Sequence, residues 1–139
     1  MIVVFDTNVV TSAIFWPASN ARRCLAGVAR DQFCMAVTED ILEEYGATCL
    51  KLHQARRLQS PWGQLDWIRR AAVVVLPSPL GKRRSRDQDD DKFLACALSV
   101  KAEYIITYDR DLLALGKPFG IRILTPSEFL RLMEEQPSS

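Results

Sequence analysis

The chain has 139 residues, of which 48% are hydrophobic and 25% are charged, so it is long enough to bury one core without disulfides or a structural metal. Its 18 Lys and Arg residues nearly balance 17 Asp and Glu residues, so charge alone argues neither for a nucleic-acid-binding protein nor for an acidic tail. Any site for a polyanion is therefore local. We expect a single domain over residues 1–135 and a flexible tail over residues 136–139.

Cysteine and histidine content limits the possible chemistry. Cys24, Cys34, Cys49 and Cys96 lie far apart in apolar runs, without a CxxC pair, which predicts the reduced, buried thiols of a cytoplasmic protein. No apolar stretch approaches the roughly 18 residues that a membrane helix needs, so a soluble protein with no membrane partner is expected. His53 is the only histidine, which excludes multi-His metal sites. Carboxylates are therefore expected to carry any catalysis.

Short apolar runs rich in Val, Ile and aromatic residues alternate along the chain with longer segments of helical periodicity. Each run is too short for a globular helix, and we interpret these runs as strands. In chain order the five predicted strands are Ile2–Phe5, Phe33–Val37, Ala72–Leu76, Tyr104–Thr107 and Ile121–Leu124. The predicted helices are Asn20–Arg30, Glu39–Leu52, Pro61–Arg70, Asp89–Ala102, Asp111–Leu115 and Ser127–Glu135.

The order of these elements predicts the fold class. The strands lack an alternating polar face and are separated by helices, a pattern typical of a parallel sheet that is covered on both sides. We therefore expect an α/β protein: a three-layer α/β/α domain with a mostly parallel five-stranded central sheet.

Acidic residues follow the ends of the predicted strands. Asp6 comes directly after the first strand, Asp109 follows the fourth, and Glu44 lies in the helix after the second, near the centre of its apolar arc. In the helix that starts near Asp89, Asp91 shares the face of Leu94, so we expect it to point into the protein. Ligands of an open parallel sheet bind outside the carboxyl ends of its strands. Four acids are therefore predicted to share one pocket.

Such a cluster of acids needs compensating charge. Two carboxylates about 4 Å apart repel each other by roughly 4 kcal/mol at an effective dielectric constant of 20. Protonation is one remedy, and a hard divalent cation with oxygen ligands is the other. Mg²⁺ or Mn²⁺ suits an all-carboxylate site and supports hydrolysis of a phosphodiester.

Four segments of the chain match a known family in order and spacing. With these segments the sequence resembles the PIN-domain ribonucleases, especially the VapC-like toxin components of toxin–antitoxin pairs. The resemblance extends from Met1 to about Phe129. The matching segments are Val3–Val10 (VVFDTNVV), Thr38–Tyr45 (TEDILEEY), Arg86–Ala95 (RDQDDDKFLA) and Tyr104–Leu112 (YIITYDRDL).

The resemblance implies a set of functional residues and partners. It implies an acidic quartet around one or two Mg²⁺ or Mn²⁺ ions, an RNA substrate, a homodimer and a cognate antitoxin protein. The implied quartet is Asp6, Glu44, Asp91 and Asp109. The implied supporting residues are Asn8, Thr107 and the additional acid Asp87.

A basic run precedes the acidic helix. An acidic pocket repels RNA unless basic groups nearby hold its phosphates, and binding through such groups weakens steeply with salt. A solvated loop is the other interpretation of this run. The candidate RNA-binding residues are Lys82, Arg83, Arg84 and Arg86.

These observations favour a metal-dependent endoribonuclease acting as a toxin over three other functions. A haloacid-dehalogenase-type phosphatase needs a second Asp where this chain has Asn8. A phosphoacceptor receiver domain needs an Asp after the third strand, where the chain has Leu76 and Pro77. The remaining alternative is a non-catalytic PIN-fold module that binds RNA or a protein partner, which missing acids would favour.

Overall fold

The computed structural model describes residues 1–81 and 90–135, and within these ranges it contains five strands and seven α-helices. The predicted tail over 136–139 lies outside the described residues. The strands are β1 (Ile2–Phe5), β2 (Cys34–Val37), β3 (Val73–Val74), β4 (Tyr104–Ile106) and β5 (Arg122–Leu124). The helices are α1 (Thr7–Phe15), α2 (Asn20–Ala29), α3 (Glu39–Arg56), α4 (Trp62–Ala71), α5 (Asp91–Val100), α6 (Arg110–Leu113) and α7 (Pro126–Glu135). A 3₁₀ turn over Pro118–Gly120 precedes β5.

The five strands form one sheet in the order β3-β2-β1-β4-β5, and all four neighbouring pairs are parallel. In the central pairings, Val3 lies opposite Met35 on one side and Tyr104 on the other. The predicted α/β/α fold with a five-stranded parallel sheet is confirmed.

The central strands are buried on both faces. Val3, Val4, Ile105 and Ile106 are all fully excluded from solvent, which is the pattern of a parallel sheet with helices on each side. Helices α1, α2 and α7 pack together, whereas α5 packs against β1, β2 and β4. No helix within 1–81 or 90–135 has both the length and the apolar character needed to cross a bilayer.

Helix α1 is the element that the sequence prediction missed. The segment Thr7–Phe15 contains Val9, Val10, Thr11 and Ile14, whose branched side chains lower helix propensity. Tertiary packing overrides this preference, because seven of its nine residues are buried. Asp6 caps the helix by accepting a hydrogen bond from the backbone N–H of Thr7 at 2.7 Å.

Other predicted bounds shift by a few residues. The third strand is only Val73–Val74 instead of Ala72–Leu76, because it lies at the edge of the sheet with both valines exposed. One cysteine also departs from the prediction. Cys24, Cys49 and Cys96 are buried thiols, but Cys34, at the start of β2, is exposed.

Candidate active site

The candidate site lies at the point of the sheet where the order of strand addition reverses. From β1 the chain continues to β2 and β3 on one side, then returns to β4 and β5 on the other. The carboxyl ends of β1 and β4 therefore flank a topological switch point, the usual ligand position in an open α/β sheet. Asp6, directly after β1, donates its backbone N–H to the carbonyl of Ile106 at 2.9 Å, which joins the two strand ends.

The Asp6 carboxylate is buried and fixed at both oxygens. Its Oδ1 accepts the N–H of Thr7 at 2.7 Å, and its Oδ2 accepts the hydroxyl of Thr107 at 2.6 Å. Only 5% of Asp6 is exposed. Two hydrogen bonds from neighbouring elements therefore set the direction of this side chain.

Burial and neighbouring acids act against ionisation of Asp6. Desolvation is the largest cause that raises its pKa from 3.8 to about 6, and the charges of Asp109 and Glu44 raise it further. The hydrogen bonds from Thr107 and Thr7 oppose this shift. The electrostatic influence of Asp109 and Glu44 on Asp6 indicates that the three carboxyl groups share one neighbourhood.

Thr107 connects Asp6 to Asp109. Besides donating its hydroxyl to Asp6, the fully buried Thr107 accepts the backbone N–H of Asp109 on the same oxygen at 2.8 Å. Asp109 in turn caps α6, since its Oδ1 accepts the N–H groups of Asp111 at 2.7 Å and Leu112 at 3.3 Å. A single hydroxyl thus sets the relative position of two acids from adjacent strands.

Glu44 reaches the same place from α3. Its Oε2 accepts the hydroxyl of Thr7, and its Oε1 forms an ion pair with Nζ of Lys92 at 2.8 Å. About one quarter of each side chain in this ion pair is exposed. Next to Glu44, the fully buried Tyr45 donates its hydroxyl to the carbonyl of Phe5 at 2.5 Å. Helix α3 is therefore tied to the end of β1 immediately before Asp6.

These side chains line one open cavity of about 500 Å³. Helix α1 forms one wall and α3 another, and acids from the strand ends and from the start of α5 lie at its base. The lining residues are Asp6, Thr7, Asn8, Thr11, Glu44, Thr48, Lys51, Leu52, Asp90 and Asp109.

The acid that α5 contributes to the cavity is Asp90, whereas the helical-face argument selected Asp91. Asp90 is the buried N-cap residue of α5, 7% exposed, and Asp91 is half-buried and does not line the cavity. The burial pattern is consistent with this: Phe93, Leu94 and Ala97, each at most 1% exposed, follow Asp90 at +3, +4 and +7, and Cys96 is equally buried. A helical projection of α5 centred on the face of Phe93 and Ala97 would have placed Asp90 towards the protein interior.

The other predicted site residues divide into two groups. Asp6, Glu44, Asp109 and Asn8 line the cavity, and Thr107 lies beneath it as the link between Asp6 and Asp109. The second group lies outside the described residues and consists of Lys82, Arg83, Arg84, Arg86 and Asp87. Sequence reasoning did not identify Lys51 or Lys92 as site residues, because an ammonium group carries no signal until its partner is known.

A family model described as PIN domain matches residues 2–111. The chain belongs to the PIN-domain family. It is also 29% identical over 147 residues to the uncharacterized protein MJ1680 of Methanocaldococcus jannaschii, covering 96% of this chain and 92% of that protein. Among solved structures it is similar to PAE2754 from Pyrobaculum aerophilum, with a TM-score of 0.61, 19% identity and coverage of 96% of this chain and 90% of that one.

PIN domains are in general nucleases and typically use divalent metals, so the cavity has to be compared with the needs of such an ion. Carboxylate and hydroxyl oxygens are the donors that Mg²⁺ and Mn²⁺ prefer. A cation would also relieve the repulsion that raises the pKa of Asp6. Within residues 1–81 and 90–135, however, no three His, Cys, Asp or Glu side chains form a ready metal-binding group. The donor chemistry fits, and holding an ion requires the side chains to rotate, Glu44 away from Lys92 above all.

Proposed function

We propose that this PIN domain is an endoribonuclease that depends on Mg²⁺ or Mn²⁺ and hydrolyses phosphodiester bonds of RNA. The observation that supports it most is the position of Asp6, Glu44, Asp90 and Asp109 around one cavity at the switch point of the sheet. A buried acid with a raised pKa in a cleft is typical of a functional site. Helix capping accounts for Asp6 and Asp109 singly, but it does not explain why the four acids surround one cavity, where their mutual repulsion is unfavourable.

In this proposal Asp6, Asp90 and Asp109 hold the ion, and Glu44 binds a second ion or orients water. A bound Mg²⁺ or Mn²⁺ supplies positive charge against the phosphate oxygens and lowers the pKa of water. The protein contributes rigidity to one pair of these acids, because Thr107 fixes Asp6 relative to Asp109. Preorganisation of this kind reduces the rearrangement needed when substrate arrives.

The deciding experiment is cleavage of a mixed RNA pool by purified protein with Mg²⁺, Mn²⁺ or EDTA. We expect Asp6→Asn and Asp90→Asn to lower the cleavage rate at least about 100-fold, a loss of roughly 2.7 kcal/mol of transition-state stabilisation. EDTA should abolish wild-type cleavage. Retention of metal-dependent cleavage by both variants would contradict the assignment.

Two further variants sharpen this experiment. Asp91→Asn tests which acid of α5 acts in catalysis, because the helical periodicity predicted Asp91 whereas Asp90 lines the cavity. Asp66→Asn removes an exposed acid of α4 that pairs with Arg70 and serves as the matched surface control. We expect both to retain most of the activity. Wild type that binds Mn²⁺ by calorimetry but cleaves no RNA would point to a narrow substrate, and absence of Mn²⁺ binding would favour the non-catalytic module.

The narrower proposal is that the chain is the toxin of a type II toxin–antitoxin pair, acting as a homodimer and inhibited by a cognate antitoxin. It is supported by the motif resemblance to VapC-like toxins. Strong expression without a partner protein is expected to arrest growth, and Asp6→Asn is expected to relieve the arrest. Unimpaired growth with wild type at equal protein level would contradict the toxin role without contradicting the nuclease.

A further inference from the structure

The wall that α3 gives to the cavity changes character along the helix. Glu44, Thr48 and Lys51 all line the cavity at spacings of four and three residues. Seven residues turn a helix through about 700°, roughly 20° short of two full turns, so Glu44 and Lys51 lie on one face. The rise of 1.5 Å per residue separates them by about 10 Å along the helix axis.

Helix α1, which forms the opposite wall, also contributes polar side chains along the length of the cavity. On α1, Asn8 and Thr11 lie one turn apart, and both line the cavity. All four acids lie at the end where the strands terminate, whereas Thr11, Thr48 and Lys51 lie towards the far end of the two helices. The cavity therefore combines an acidic end with an end that has hydroxyl groups and a cation.

Lys51 differs from Lys92 in having no charged partner in the described part of the chain. Lys51 is exposed and forms no hydrogen bond or ion pair with any residue in 1–81 or 90–135. Lys92, by contrast, is paired with Glu44 at 2.8 Å. Lys92 therefore compensates a carboxylate, whereas Lys51 lines the cavity without a charged partner in 1–81 or 90–135.

We infer that Lys51, together with the Thr48 hydroxyl, binds a backbone phosphate of single-stranded RNA that is not the phosphate being hydrolysed. This inference rests on the proposed ribonuclease function and specifies how that site holds its substrate. The open cavity has a volume of about 500 Å³, and Lys51 supplies charge for one phosphate of a single strand. A phosphate held at Lys51 aligns the strand so that another phosphate of the same strand meets the acids.

The test is binding of a short fluorescent single-stranded RNA, measured by anisotropy at several NaCl concentrations and constant Mg²⁺. All proteins carry Asp6→Asn to prevent hydrolysis. We expect Lys51→Gln to weaken binding about threefold to tenfold near 0.1 M salt and to reduce the slope of log K against log salt by about 0.7, the value for one phosphate contact on a single strand. Lys51→Arg should keep both the affinity and the slope.

The matched control is Lys101→Gln, which removes an equal charge from an exposed lysine at the opposite end of α5. Equal affinities and slopes for the Lys51→Gln and Lys101→Gln proteins would overturn the phosphate site, while RNA binding by the parent would leave the proposed function intact. Failure of the Asp6→Asn parent to bind RNA under any of these conditions would overturn RNA recognition and the phosphate site together. Circular dichroism of each variant verifies the fold.

Discussion

At the scale of a single residue, burial of Asp6 disfavours the charged form of its carboxyl group. Its pKa is about 6 in the folded protein against 3.8 for the free side chain, with desolvation as the first cause. The folded state therefore holds a proton through a pH range in which the unfolded state has lost it. Stability from this group is complete below about pH 4 and declines as the pH rises towards 6 and beyond.

A comparison of wild type with Asp6→Asn isolates this effect. In EDTA, we expect the free energy of unfolding of wild type, relative to the variant, to fall by about 2 kcal/mol between about pH 4.5 and about pH 7. Urea titrations at the two pH values measure it. A constant difference would show that folding does not shift the pKa of Asp6, and a difference that grows with pH would show that folding lowers it.

Lys92, on α5, affects the charge of the same group of acids through its ion pair with Glu44. Its ammonium group compensates the charge of Glu44, so replacing Lys92 with Gln removes one positive charge from the neighbourhood of the acids. We expect Lys92→Gln to tighten Mn²⁺ binding about threefold to tenfold, a moderate effect because the ion pair is partly exposed. Calorimetric titration measures it, with Lys101→Gln as the control, and an unchanged or weaker affinity would argue against competition between Lys92 and the metal for Glu44.

At the scale of elements, the hydrophobic pattern of the sequence predicted the five strands, whereas helix α1, which depends on tertiary packing, was missed. All five strands were predicted because buried parallel strands are continuous apolar runs. Helix α1 was missed because its Val and Thr residues favour strands locally, and only the core that surrounds it makes it helical. The helical projection placed Asp91 in the pocket, whereas Asp90 lines the cavity, because the projection weights every apolar residue equally although Phe93 and Ala97 are more buried than Leu98. Which of the two acids takes part in catalysis is decided by the Asp90→Asn and Asp91→Asn variants. The links through Thr7, Thr107 and Lys92 depend on tertiary contacts, which a single sequence does not reveal.

Two helical glycines allow a matched test of how elements approach one another. A Cβ on Gly27, in α2, would overlap the ring of Phe33, whereas a Cβ on Gly46, inside α3, would meet nothing within 4 Å. We expect Gly27→Ala to destabilise the protein by about 1–3 kcal/mol through overpacking. We expect Gly46→Ala to stabilise it by about 0.5–1 kcal/mol through helix propensity. Urea unfolding measures both changes, and equal effects of the two substitutions would show that Gly27 is not a close contact.

At the scale of the whole molecule, the strand order puts the proposed active site between β1 and β4, where the order of strand addition reverses. Two segments far apart in sequence, Asp6–Thr7 after β1 and Thr107–Asp109 after β4, meet because β1 and β4 are neighbours. Helices α3 and α5 then bring Glu44 and Asp90 to the same end of the sheet. An ion held, as proposed, by acids at the ends of β1 and β4 and at the start of α5 has its site only in the folded protein, so binding it must stabilise the whole fold.

This linkage makes thermal stability a measure of the proposed metal site that does not depend on finding the RNA substrate. At a Mn²⁺ concentration about 100 times its Kd, linkage stabilises the fold by about 2.7 kcal/mol, which for a chain of this size raises Tm by about 8 °C. We expect that rise in wild type and in the surface control Asp66→Asn near pH 7.5, and less than about 2 °C in Asp6→Asn or Asp90→Asn. Near pH 5 the rise in wild type should shrink, because the pKa of Asp6 is about 6 and a proton then competes with the ion. Equal rises in all four proteins would place Mn²⁺ elsewhere on the molecule, and an undiminished rise near pH 5 would remove Asp6 from the ligand set.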